Sequence, residues 1–153
     1  KEKYYQCPVD LSYWKKNSQN CTLKTRKDYP EKTWEIVRTD LYLQAQGIRR
    51  KDRQSELGYG WYRTDIELTQ QETQGNIHIM FPGLFNECWL YVNGEQVAHR
   101  ENYRPVWWFN DYRFQWDVDL TGKLKPGKNT IALRIYNPHH FAGMFRRPFI
   151  YRR

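Results

Sequence analysis

From Trp61 to Tyr151 apolar side chains recur at every second position over short stretches, and this period restricts the fold more than any other feature of the chain. A period of two puts one set of side chains on one face of an extended strand, whereas a helix would need a period near 3.6. Tyr62, Thr64, Ile66 and Leu68 alternate with Arg63, Asp65 and Glu67, and Ile77, Ile79 and Phe81 alternate with His78 and Met80 before Pro82-Gly83. Cys88, Leu90 and Val92 share one face, with Trp89 and Tyr91 on the other. Asn93-Gly94 follows, a dipeptide suited to the positive φ angles of a tight hairpin, and Val97 to Arg100 is the returning strand. Phe114, Trp116, Val118 and Leu120 alternate with Gln115, Asp117 and Asp119. Lys125-Pro126-Gly127-Lys128-Asn129 reads as a turn before the inward set Ile131, Leu133 and Ile135, and Pro148 to Tyr151 is the last strand.

The first sixty residues are less regular: Trp34 to Thr39 is a convincing strand, and Gln44 to Gly60 reads as a long polar loop. No segment has the pattern of a long amphipathic helix. Several short strands separated by turn signals predict an all-β fold, a two-sheet antiparallel β-sandwich of the jelly-roll kind, with Ile66, Ile79, Leu90, Val92, Val118, Leu133 and Ile135 in its core. The 153 residues suffice for one ordinary domain. It divides into an irregular N-terminal extension, residues 1–33, and a sandwich over residues 34–153. No apolar run approaches the roughly 18 residues of a membrane span, and Lys1 to Asp10 lacks the apolar stretch of a signal peptide.

Cys7, Cys21 and Cys88 lack the spacing of zinc sites. Cys7 with Cys21 is the natural pair if a disulfide forms, because Cys88 falls on an inward strand face; the free and the paired form both stay open. The net charge of +8 raises a nucleic-acid reading. Its distribution argues against one. Residues 1–32 carry 8 basic and 4 acidic side chains, residues 33–48 carry −1, Arg49 to Arg53 carry +3 and Arg146 to Arg153 carry +4, so residues 54–145 come to −2. The best-patterned part of the chain holds no basic stripe.

Four ordered segments carry a family pattern: Gly60-Trp61-Tyr62-Arg63, Leu90 to Val97, Asp117 to Thr121, and Leu124 to Ile135. Together they resemble the jelly-roll sugar-binding domain at the front of glycoside hydrolase family 2 enzymes, within the galactose-binding-like superfamily. Gly143 to Pro148 is similar to that family's closing Gly-Ile-Trp/Tyr-Arg-Pro segment. The resemblance runs from about Trp34 to Tyr151 and implies a setting in carbohydrate processing, secreted, periplasmic or at the cell surface, beside a catalytic domain of the same parent chain. It leaves the module's own activity open, since fold does not fix function. Relatives sometimes hold a structural calcium, but no dense oxygen-ligand loop is visible here, so no cofactor is expected.

The chain departs from the family most at one loop. Where relatives run from a Gly-Gly-Tyr-Thr-Pro stretch straight into a Phe, this chain has Glu101 to Pro105 and then an added Val106 to Arg113 before Phe114. A protein binds sugars with exposed aromatic faces flanked by planar hydrogen-bonding groups, because a pyranose offers patches of C–H and a rim of hydroxyls. Trp107, Trp108 and Tyr112, with Arg104 and Asn110, supply both. The alternative is that these rings fold back to cap the sandwich. His139, His140 and Arg146 belong to a second loop segment expected near the first. Adjacent histidines without a third ligand favour hydrogen bonding over metal binding.

Asp117 and Asp119 share one strand face, a poor arrangement for glycosidase carboxylates, which flank a substrate across a cleft. Trp89 and Tyr91 form either a second aromatic platform or a surface covered by a loop or neighbouring domain. Three functions follow in order of support: a non-catalytic carbohydrate-binding module of a polysaccharide-degrading enzyme, its basic loops suiting anionic, sulfated or uronate-bearing, glycans and the family resemblance implying galactose-type ones; a structural domain packed on a catalytic barrel; and a nucleic-acid binder, which the charge distribution disfavours.

Overall fold

The computed structural model describes residues 5–6, 10–17, 34–47, 58–101, 114–137 and 142–153. Within them the chain forms β1 (Tyr5–Gln6), β2 (Tyr13–Asn17), β3 (Glu35–Arg38), β4 (Gly58–Leu68), β5 (Ile77–Phe81), β6 (Gly83–Phe85), β7 (Glu87–Val92), β8 (Glu95–Arg100), β9 (Trp116–Asp119), β10 (Gly127–Asn137), β11 (Gly143–Arg146) and β12 (Phe149–Arg152). Two short 3-10 turns, Gln44–Gln46 and Gln71–Thr73, are the helical elements among the described residues.

A six-stranded sheet in the order β3-β2-β4-β10-β7-β8 faces a four-stranded sheet in the order β1-β12-β5-β9, and β11 pairs with β6 in a small third sheet. All the described pairings are antiparallel. The expected two-sheet β-sandwich is therefore the observed one. The seven residues expected in the core are all buried, from 0% exposure for Ile79, Leu90, Leu133 and Ile135 to 6% for Val118.

Register explains why. Ile131 lies between Thr64 and Val92, Leu133 between Tyr62 and Leu90, and Ile135 between Gly60 and Cys88. On the opposing sheet Ile79 lies between Val118 and Ile150. Residues of like parity thus meet across neighbouring strands and fill the space between the sheets.

The hairpin turn is held by more than its backbone. Asn93 takes a φ of 51°. Its side chain donates to Asn129 Oδ1 at 3.0 Å and accepts from the Thr130 amide at 2.9 Å. Asn129, fully buried, also accepts from the Lys125 amide at 2.9 Å and donates to the Lys125 carbonyl at 2.7 Å. One pair of amide side chains thereby joins the β7–β8 turn to the turn before β10.

Residues 1–33 were expected to be an irregular extension. Within them β1 pairs with β12, and β2 lies inside the six-stranded sheet between β3 and β4. The signal was weak because β2 is largely polar in sequence; its Trp14 is 2% exposed and packs edge-on against Tyr62. Gln44–Gln46 interrupts the stretch expected as polar loop, and Gln44 Oε1 accepts from the Ala142 amide at 2.8 Å.

β11 depends on Tyr62. The Met144 amide donates to the Tyr62 hydroxyl at 3.0 Å, and Gly143 has φ 84°, with Tyr62 Oη where a Cβ would stand. Burial pushes the Tyr62 phenol far above its ordinary range. Tyr62→Phe should lower stability by about 1–3 kcal/mol at neutral pH, because it strands the Met144 amide. The raised folded-state pKa means that the phenol's contribution is complete below the unfolded value near ~10 and is lost as pH rises beyond it. Denaturant melts at rising alkaline pH should show a smaller loss per pH unit in Tyr62→Phe than in the parent.

Candidate functional site

The strands bring several chain ends to one end of the sandwich. Asn137, the last residue of β10, pairs with Gly58, the first of β4, while Tyr136 pairs with Glu87 at the start of β7 and Cys88 with Arg100 at the end of β8. The flanks of segments 48–57, 102–113 and 138–141 therefore sit together. Trp107, Trp108, Arg104, Asn110, Tyr112, His139 and His140 lie outside the described residues, as do Cys7 and Cys21. Arg146 lies within them, exposed on β11, with its guanidinium carbon 5.9 Å from the Phe145 ring centre.

Phe145 belongs to a ring cluster that the alternating pattern did not reveal. Phe85 lies 4.3 Å from Phe114, 4.9 Å from Phe145 and 5.5 Å from Tyr42, centre to centre, and Phe114 is 5.9 Å from Phe145. Phe114 is the first described residue after the added loop, so the loop's root and the Arg146 strand are packed against each other. Gly83 permits the approach: a Cβ there would stand 2.6 Å from the Phe145 ring.

Arg100 secures the same root. Its Nε donates to the Asn86 carbonyl at 3.0 Å, Nη1 points at the carbonyls of Phe114 and Gln115 at 3.4 and 3.5 Å, and Nη2 donates to the Leu84 carbonyl. Nη2 also lies 3.6 Å from Cys88 Sγ. Burial pushes the Cys88 thiol up to about 11, against the pull of Arg100.

The remaining polar clusters have structural partners. Asp117 accepts from the Tyr151 hydroxyl at 2.6 Å and lies 3.2 Å from His78 Nδ1, and Asp119 accepts from the Thr121 amide at 2.8 Å. Both lie on the outer face of the four-stranded sheet and are tied to neighbours on that sheet. Asp65 would be raised by burial, but the Thr130 hydroxyl and Lys128 outweigh this and hold it below the usual carboxylate range.

On the outer face of the six-stranded sheet, Trp89 has the Arg134 guanidinium 4.7 Å from its ring centre on the β10 side. On the β8 side His99 is stacked on it at 4.9 Å with a 6° tilt. Both faces of Trp89 are thus taken by this chain's own side chains. Tyr91 packs against Trp61 at 5.3 Å. Of the two alternatives for Trp89 and Tyr91, the open platform is not what the sheet presents: side chains of neighbouring strands fill the space beside both rings.

A second feature was missed because it lies in the weakly patterned N-terminal part. Ser12, Tyr13, Arg38, Thr39, Asp40 and Arg147 line a depression of about 470 Å³. Arg38 donates to Asp40 through two nitrogens at 2.9 and 2.7 Å, and Arg147 Nη1 donates to Ser12 Oγ at 3.3 Å. The Arg38 hydrogen bonds hold the Asp40 carboxyl below the usual range, with Arg147 acting in the same direction; hydrogen bonds from Ser12 lower Asp10, again aided by Arg147.

These features describe a β-sandwich domain with an aromatic end carrying its loops. Comparison with known proteins agrees with the expected resemblance, although no protein-family model matches. The chain is 28% identical over 76 residues to the exo-β-D-glucosaminidase of Amycolatopsis orientalis, covering 50% of this chain and 7% of that protein. It is 23% identical over 120 residues to a protein of Formosa agariphila named as a β-glucuronidase, covering 74% of this chain and 11% of that one. Among solved structures, a glycosyl hydrolase family 2 member from Bacteroides cellulosilyticus superposes with a TM-score of 0.70 at 17% identity, over 93% of this chain and 20% of that one. The chain is a small domain similar to part of family 2 glycoside hydrolases, and it spans a fifth or less of the length of each of these three.

Arg100→Met, which keeps the aliphatic stem, should cost about 2–3 kcal/mol, because several carbonyls lose a charged donor. It should also speed the reaction of native Cys88 with a thiol reagent, a rate that in the parent should follow unfolding.

Proposed function

We propose that this chain is a non-catalytic carbohydrate-binding domain of a larger, secreted, periplasmic or cell-surface polysaccharide-degrading enzyme. The observation that carries the reading is the packing of Phe114, at the root of the loop that contains Trp107 and Trp108, against the strand that presents Arg146. An added loop with four aromatics, rooted on an aromatic floor beside an exposed guanidinium, has the composition a sugar requires: rings for its C–H faces and planar donors for its hydroxyls.

In this reading Trp107 or Trp108 stacks on a pyranose. Arg104, Asn110, Tyr112, His139, His140 and Arg146 reach hydroxyl or acidic groups. The basic run Arg49 to Arg53 has a flank at the same end, since Gly58 pairs with Asn137, and this favours anionic glycans, while galactose-type glycans rest on the family resemblance alone. The two curated relatives are named for glycosidases acting on amino- or uronic-acid sugars. The catalytic centre is assigned to the parent chain, because Asp117 and Asp119 share one strand and are engaged with Tyr151, His78 and Thr121.

A second reading, a domain that only packs against a catalytic barrel, is favoured by the aromatic outer face around Trp89 and Tyr59. A glycan array with this chain separates the two: the first expects retention of a defined set of glycans and the second expects none. Trp107→Ala or Trp108→Ala should weaken binding at least about thirtyfold, equivalent to roughly 2 kcal/mol, with the circular dichroism spectrum unchanged. Binding of an anionic glycan should fall as salt rises. Unaltered binding in both variants would remove the loop from the site.

A further inference from the structure

We propose that the depression between the β2–β3 edge and Arg147 is a second carbohydrate subsite, selective for an uncharged pyranoside. The proposal rests on the carbohydrate reading above but on different residues. Its volume of about 470 Å³ suits a small molecule.

The apolar evidence is specific. Among the described residues the exposed large hydrophobics are Tyr13 at 59%, Ile36 at 77% and Leu41 at 36%. Tyr13 lines the depression, Ile36 stands on β3, and Leu41 follows the lining residue Asp40 in the chain. Tyr13 pairs with Arg38, and Ile36 stands two residues before Arg38 on the same strand, so Tyr13, Ile36 and Arg38 project from one face. Exposed apolar side chains gathered beside a polar hollow are a feature of ligand-binding surfaces.

The polar groups are held in place before any ligand arrives. Thr39 fixes the floor, its hydroxyl donating to the Leu11 carbonyl at 2.8 Å and its amide to the Ser12 carbonyl at 2.9 Å. Gln46 braces the turn behind it, accepting from the Arg38 amide at 2.7 Å and donating to the carbonyls of Arg38 and Leu41 at 2.9 and 2.7 Å. A rigid wall reduces the ordering cost of binding. Within it Asp40 offers carboxylate acceptors, Arg147 a planar fork of donors and Tyr13 a ring, the set that recognises adjacent hydroxyls on a C–H face.

Charge sets the ligand class. Of the lining groups Arg38 is paired with Asp40, and Asp10, beside the lining near Ser12, offsets Arg147, which helps to keep both carboxyls ionised. With Asp10 counted, two carboxylates face two guanidiniums, so the hollow has little excess charge with which to prefer a uronate, in contrast to the basic loops at the other proposed site.

The test is an NMR titration of the whole chain with methyl β-D-glucopyranoside, methyl β-D-galactopyranoside and methyl β-D-glucuronide. The expected result is that a neutral glycoside shifts the Tyr13 ring and Arg147 side-chain signals, more strongly than the glucuronide does and with little dependence on salt. Tyr13→Ala and Arg147→Gln should each weaken that binding at least about tenfold, while Tyr13→Phe, which keeps the ring, should retain most of it. The Trp107→Ala and Trp108→Ala variants should leave it unchanged. If glycans bind but Tyr13 and Arg147 signals stay still, or Tyr13→Ala binds like the parent, the subsite is wrong and the loop reading stands. If no glycan binds anywhere on the folded chain, both fall.

Discussion

The burial of β10 between β4 and β7 is the constraint on which the rest of the molecule depends. This strand is hydrogen bonded along both edges, and its inward residues Ile131, Leu133 and Ile135 have no exposure. A slip of one residue would turn that apolar set to the outer face and bring Thr130, Ala132 and Arg134 inward. The Asn93–Asn129 clamp guards against such a slip, because it fixes the strand's entry to the neighbouring hairpin through side chains whose partners exist in one register. The family-like segments around Asn93-Gly94 and Pro126-Gly127 thus share a physical reason: they are two halves of one fastening.

Once β10 is set, the loop-bearing end of the sandwich follows from connectivity. β4 begins, β7 begins, and β8 and β10 end on the same side, so the loops attached to them converge there whatever their sequences. Arg100 and the Phe85–Phe114–Phe145 cluster then close the sandwich beneath those loops. The outer sheet faces are used differently. Trp89 stands between Arg134 and His99, and Asp117 is bound to Tyr151, so side chains that look available in a linear reading are satisfied laterally by neighbouring strands.

Much of this was legible in the chain itself. The alternation through Ile66, Ile79, Leu90, Val118 and Leu133 determined the sandwich and its core, since strand geometry converts parity directly into facing. The same parity placed Cys88 inside and Trp89 outside. It also marked Asp117 and Asp119 as neighbours on one face. The added aromatic loop could be recognised as a departure from a family pattern, and its candidate residues follow from composition.

Other features were decided by tertiary structure because they depend on residues far apart in the chain. Trp14 of β2 gains its meaning from Tyr62 and Phe81, residues 48 and 67 positions later in the numbering. No local period reports contacts made that far along the chain. The loss of both open faces of Trp89 required the neighbours that register alone supplies. The hollow of Tyr13, Arg38, Asp40 and Arg147 joins the two ends of the chain. Pattern determines which way a side chain faces; which distant groups it faces is settled by packing.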